Sequence, residues 1–395
     1  MKTKIFGVGL FLLTLGAITY YPKLMATTLP HDLPIEQPAA PTSHRIDAVF
    51  VLDTTGSMGG LIETAKEKIW SIATTMASAQ QTPEIRIGLV AYRDHGDAYV
   101  TKTVDLSEDL DSIYATLMDF EADGGGDSPE SVNEALYKAV HNMSWSQSDD
   151  TYQVIFLVGD APPHMDYDEP QYPAIIASAT DKGIIVNTIQ CGSMPTTAKP
   201  WTQIAALSQG RFFQVEQAGG AVAFTTPFDD EIATLSAELD STRLYYGSAE
   251  EKEKMQSKIA ATDRLTAESS VAARARRGSF NASSGGRTNL LGDNELVSDV
   301  ADGTVDLEAL SEDELPAPMV SMAPAEQKAF VAELAEKRSE LQRRIRALSE
   351  ERNAYLVEKV EEAGGLEDSL DRQVFSAVKE QADEVGLQYS EGPKY

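Results

Sequence analysis

Val49-Phe50-Val51-Leu52-Asp53-Thr54-Thr55-Gly56-Ser57-Met58 joins a short, branched apolar run to a polar turn. The run has the pattern of a parallel strand buried on both faces. Past it, Asp53, Thr55 and Ser57 set one carboxylate and two hydroxyls at alternate positions, and residues 61–79 carry a helical pattern. Open α/β sheets place their ligand sites at the carboxyl ends of strands. A donor set made only of oxygens suits a hard divalent cation such as Mg²⁺.

Outward from this stretch, strand patterns fall at 46–52, 85–92, 99–104, 154–158, 184–189 and 212–215. Helix patterns fall near 61–79, 110–120, 129–143, 173–182, 201–208 and 227–244. The alternation predicts an α/β fold over 44–247: a doubly wound, mostly parallel six-stranded sheet flanked by helices, Rossmann-like in layout. Asp94-His95-Gly96-Asp97 marks a hairpin, so one edge strand is expected to be antiparallel.

The segment 248–320 opens with a charged helical piece over 250–267, and its low apolar density and high charge predict a flexible or partly ordered acidic connector. Its basic cluster, Arg274, Arg276 and Arg277, reads by default as a solvated face, with docking onto the acidic body as the alternative. A helical C-terminal region is expected over 321–388. Leu334, Leu341, Leu348 and Tyr355 recur every seven residues, but the companion positions Val331, Arg338, Ile345 and Arg352 are half charged. A clean two-stranded seam needs more apolar heptads. The pattern therefore favours an amphipathic helix turning back at Gly364-Gly365, as a hairpin or packed on the main domain, over a short coiled coil.

Lys2 and Lys4 precede an apolar stretch over 5–21, the pattern of a signal peptide or N-terminal membrane anchor within 1–26. Pro30, Pro34, Pro38 and Pro41 make 27–43 read as an extended linker. The expected location is outside the cytoplasm, periplasmic or at the cell surface, with inner-membrane association if the first segment is retained. The single cysteine, Cys191, rules out an intrachain disulfide and lies in an apolar run, as a buried thiol does. A net charge of −29 argues against nucleic acid or an anionic membrane as the main partner. No oligomeric state follows from the pattern.

Two further loops complete the constellation. Asp123-Gly124-Gly125-Gly126-Asp127-Ser128-Pro129-Glu130 precedes a helix, and Val158-Gly159-Asp160-Ala161-Pro162-Pro163-His164 ends another buried strand. With the first loop they resemble the metal-ion-dependent adhesion site (MIDAS) of von Willebrand factor A (VWA) domains. With Tyr92-Arg93-Asp94-His95-Gly96 they are similar to the hemicentin-like and α-kinase-associated members, here of a bacterial exported type. The resemblance implies a metal set of Asp53, Thr55, Ser57, Asp127 and Asp160, with Asp127 standing where integrin-type domains have a threonine. Asp94, His95, Ser128 and His164 are the candidate rim. The implied ion is Mg²⁺, with the third carboxylate leaning toward Ca²⁺ or Mn²⁺. The implied partner is a protein that offers an Asp or Glu to complete the coordination sphere. In the plainer alternative the loops only cap helices, with Ser57 and Asp127 as N-cap residues.

The functional expectation is an adhesion- or scaffold-type binding module and not an enzyme. An Asp-x-Asp phosphohydrolase would need an acid where Thr55 stands. No phosphate loop and no dinucleotide fingerprint are present. The alternative is a scaffold acting mainly through its C-terminal helices; a metal-dependent hydrolase or phosphotransfer-associated protein is the remoter one.

Overall fold

The computed structural model describes residues 44–60, 62–126, 128–215, 225–362, 369–389 and 392. The readings made over 1–26, over 27–43 and at Gly364-Gly365 lie outside the described residues. Among the described residues no helix is long and apolar enough to cross a membrane.

Six strands, β1 (Arg45–Asp53), β2 (Glu84–Tyr92), β3 (Thr101–Ser107), β4 (Thr151–Gly159), β5 (Ile184–Cys191) and β6 (Phe212–Val215), form one sheet in the order β3-β2-β1-β4-β5-β6. All pairings are parallel except β2 with β3, the antiparallel edge expected from the Asp94–Asp97 hairpin. Asp53 pairs with Tyr92, and Leu52 pairs with Val158. The carboxyl ends of the three central strands are therefore level, and their loops share one edge.

Helices cover both faces: α1 (Ile62–Ala77), α2 (Leu110–Met118), α3 (Val132–His141), α4 (Tyr172–Asp181), α5 (Pro195–Leu207) and α6 (Asp229–Asp240). Period-two alternation along β1 sorts the core. Ile46, Ala48, Phe50 and Leu52 pack with α1 and α2, while Val49 and Val51 pack with α3 and α4.

The opening helix expected at 250–267 is α7 (Ala249–Glu268), but the segment after it, expected to be a flexible acidic connector, forms three more helices, α8 (Val271–Asn281), α9 (Arg287–Leu291) and α10 (Leu296–Ala301). Leu265, Ala273 and Phe280 enter the same core cluster as Ile46 and Phe50. The charge that suggested disorder is held in long-range pairs. Arg277, 3% exposed, donates bidentately to Asp111 (Nε–Oδ1 and Nη2–Oδ2, both 2.7 Å) and reaches Asp240 at 2.7 Å. The solvated-face reading of the basic cluster is thus corrected for Arg276 and Arg277, both buried; Arg277 docks onto the acidic body.

The long helix α11 (Pro324–Glu362) runs against α6, α8 and α10. Its heptad seam packs on its own chain: Val331, Leu341 and Ile345 are buried together with the charged seam residues Arg338 and Arg352. Arg338 binds Glu295 (2.7 and 2.8 Å), and Arg352 binds Asp229 (2.7 Å). Helix α12 (Leu370–Asp383) returns to the sheet, where Val374, Phe375 and Val378 join the core and Gln381 accepts from Tyr152 Oη at 2.6 Å.

Candidate metal centre

Asp53 leaves β1 and is 1% exposed. Its Oδ1 accepts from the Thr55 amide (2.9 Å) and the Thr55 hydroxyl (2.6 Å). Its Oδ2 is buried with no hydrogen-bond partner. Thr55 Oγ1 lies 3.1 Å from Ser57 Oγ, which donates to Asp160 Oδ1 at 2.9 Å. Ser57 sits inside a short 3-10 turn (Gly56–Met58) and sends its hydroxyl to the third loop, so the helix-cap alternative does not describe it. Four of the five expected ligands, Asp53, Thr55, Ser57 and Asp160, therefore form one chain of side chains across two strand ends. Asp127 lies outside the described residues.

The glycine loop closes over them. Gly56 N–H donates to Gly124 O, and Asp123 N–H donates to Thr54 O. Gly124 and Gly125 have φ of +74° and +69°, backbone that a side chain disfavours. A Cβ on Gly125 would lie 2.7 Å from Thr55 Cβ and 3.0 Å from Glu130 Oε1. Two residues outside the expected ligand and rim sets hold this loop. Asp97 accepts the Gly125 amide (3.0 Å to Oδ2), and Arg93 donates to Thr54 O (3.1 Å) and Glu121 O (2.9 Å).

Glu130 is the larger omission. It is 2% exposed, and its Oε2 is buried without a partner. Its backbone pairs with the third loop: Glu130 N–H donates to Pro162 O, and Glu130 O accepts the His164 amide. This bridge draws a carboxylate into the centre. Nothing in the local sequence of the second loop points Glu130 inward; its pairing with Pro163 does.

The electrostatics are one-sided. Burial pushes the Asp53 carboxyl up to about 7; its bonds with Thr55 oppose this, and Asp160 adds to it. Burial, then Asp53, Asp94, Asp97 and Asp160, push Glu130 up to about 9. Asp160 is also raised, mainly by burial. Burial, then Asp53 and Asp160, push the Cys191 thiol up to about 12, which keeps it an unreactive packing residue. Arg93 spends its donors on carbonyls, and its guanidinium stands 3.6 Å from Asp123. Two buried carboxylate oxygens without partners, beside two hydroxyls, fit a hard cation that would take up the missing bonds.

The rim residues separate. Asp94 is buried and accepts from Ser131 (2.8 Å) and Tyr167 (3.0 Å), with His164 Nε2 at 3.4 Å. His164 is buried, and its ring stacks on Tyr167 at 3.8 Å. His95 stacks on the same Tyr167 ring at 4.4 Å. Ser128 is exposed. His95, Glu134 and Glu169 bring ligand atoms within 4.8 Å of one another beside this stack, while Asp97 turns to the glycine loop.

Residues 48–227 match a family model described as von Willebrand factor A domain. Among similar proteins, von Willebrand factor A domain-containing protein 7 of Rattus norvegicus is 33% identical over 181 residues, 45% of this chain and 18% of the relative. Alpha-protein kinase vwkA of Dictyostelium discoideum is 27% identical over 31% of this chain and 19% of its own length. The chain spans less than a fifth of the length of these curated relatives. Among solved structures, the SpRpn10 VWA domain is 14% identical with a TM-score of 0.33, covering 44% of this chain and 89% of that one.

Proposed function

Residues 48–227 form a von Willebrand factor A domain, and from that premise we propose that this chain is a divalent-cation-dependent protein-binding module. The observation that carries the reading is the pair of buried, unpartnered oxygens, Asp53 Oδ2 and Glu130 Oε2, at the shared carboxyl edge of the sheet. Asp53, Thr55, Ser57 and Asp160 would hold the ion, with Asp127 the fifth expected ligand. The ion is Mg²⁺, Mn²⁺ or Ca²⁺, and it supplies a positive centre for a carboxylate from the partner. The reading includes no catalytic step. The apolar stretch over 5–21 supports a site of action outside the cytoplasm.

The experiment is affinity capture with the whole chain as bait, in Mg²⁺ and in EDTA, beside Asp53→Ala. The expected result is a protein retained only with metal and lost in Asp53→Ala. Equal retention in EDTA would reject metal dependence and move binding to another surface, α11 included.

A further inference from the structure

A cavity of about 390 Å³ opens where α1, α8 and α11 meet, on the side of the core shared by the A domain and the C-terminal helices. The volume is that of a small-molecule site. Its lining is unusual for a chain of net charge −29: three arginines, Arg276, Arg346 and Arg352, against one acid, Glu350. Arg276 and Arg352 are 5% and 3% exposed, whereas Arg346 and Glu350 stand exposed at the mouth. Asp229 pairs with Arg352 Nε and offsets one of the positive charges. Ser71, also lining the cavity, is 3% exposed, and its hydroxyl has no hydrogen-bond partner. A buried hydroxyl in that state costs free energy unless something bonds it.

The other hydroxyls define the ligand further. Thr74 donates to Trp70 O (2.8 Å), Ser78 to Thr75 O (2.7 Å) and Ser283 to Phe280 O (2.6 Å). Each has given its proton to a helix carbonyl and keeps lone-pair capacity for an incoming donor, Ser283 with one lone pair already taken by the Gly286 amide at 3.2 Å. Guanidinium forks suit planar or tetrahedral oxyanions. We propose that this cavity binds a small polyol bearing one oxyanion group, phosphate or carboxylate. The arginines hold the oxyanion, and the serine and threonine oxygens accept from the polyol hydroxyls. The ligand ties α11 to α1, the helix that follows the metal loop, so the site joins the C-terminal region to the A domain.

The test follows thermal unfolding of the whole chain in EDTA, so that the metal centre plays no part, at matched ionic strength. The probes are glycerol 3-phosphate, glycerate, inorganic phosphate and glycerol. A saturable rise in Tm with glycerol 3-phosphate or glycerate, and none with glycerol, is expected; which of the two acts names the oxyanion. Inorganic phosphate should act more weakly than the phosphate ester. Arg346→Gln, at the exposed mouth, should weaken the apparent affinity about tenfold or more, the loss of a charge-assisted bond. Arg344→Gln, exposed on the same helix and paired with Glu231, should leave it unchanged. The proposal is overturned if no probe shifts the wild type, if glycerol acts as well as the anions, or if Arg346→Gln responds like wild type.

Discussion

Asp111, under the helices, and Asp53, at the sheet edge, are both fully buried carboxylates, and they meet opposite surroundings. Burial alone would raise both. At Asp111 the Arg277 guanidinium overrides it, with Lys258 and Arg243 adding, and holds the carboxyl well below the usual range. At Asp53 no cationic group enters among the causes, and the carboxyl rises to about 7. The helical side balances its buried acids from within the chain, at Arg277–Asp111, Arg338–Glu295 and Arg352–Asp229. The loop edge buries acids and leaves them unbalanced. The fold sets arginines directly against its buried acids in one place, whereas at the loop edge Arg93 is spent on the carbonyls of Thr54 and Glu121, and this is the contrast on which the proposed cation site rests.

The largest effect that could break this contrast is on the balanced side. Arg277→Ala leaves Asp111 and Asp240 without their shared partner and should cost about 3–5 kcal/mol in urea unfolding. Asp53→Ala, measured in EDTA, should cost little or stabilise, because it removes an uncompensated buried charge. A near-neutral Arg277→Ala would erase the difference between the two regions.

The pH dependence should run in opposite directions. In EDTA the folded state binds the Asp53 proton more tightly than the unfolded chain does. That stability is present below the unfolded value of 3.8 and is lost as pH rises through about 7, and for Glu130 through about 9. Asp111 is depressed, so its contribution is present above the ordinary carboxylate range and is lost as pH falls beneath it. Asp53→Asn should flatten the limb between pH 3.8 and about 7 by up to about 1.4 kcal/mol per pH unit. An unchanged limb would mean that Asp53 is not the unbalanced group.

A smaller effect is expected at the glycine loop. Gly125→Ala forces a Cβ against Thr55 and Glu130 at positive φ and should cost about 1–3 kcal/mol, with weaker metal binding in calorimetry. The smallest is at an exposed pair: Arg344→Ala, which breaks the 3.0 Å contact with Glu231, should change stability by about 1 kcal/mol or less. A loss like that of Arg277→Ala there would show that burial is not what separates the pairs.

What could be read from the chain follows the range of the interactions. The six strands, the antiparallel edge and the Asp53-Thr55-Ser57 element are local patterns, and each appears where its pattern lies. Glu130 is invisible because its inward direction depends on Pro163 in another loop. The connector reads as flexible because composition counts its charges as solvated. Arg277 finds Asp111 166 residues away, and Arg352 finds Asp229 123 residues away, so local charge density says nothing about burial there.

The most direct test of the central claim is to titrate Mg²⁺, Mn²⁺ and Ca²⁺ separately into the EDTA-stripped chain and follow the unfolding temperature. An ion that binds the native state must raise it, through a stabilisation of about 2.7 kcal/mol at a hundredfold excess over Kd. The account predicts a saturable rise with at least one of the three ions in wild type and none in Asp53→Ala. A flat wild-type response to all three, or an equal rise in Asp53→Ala, would contradict it.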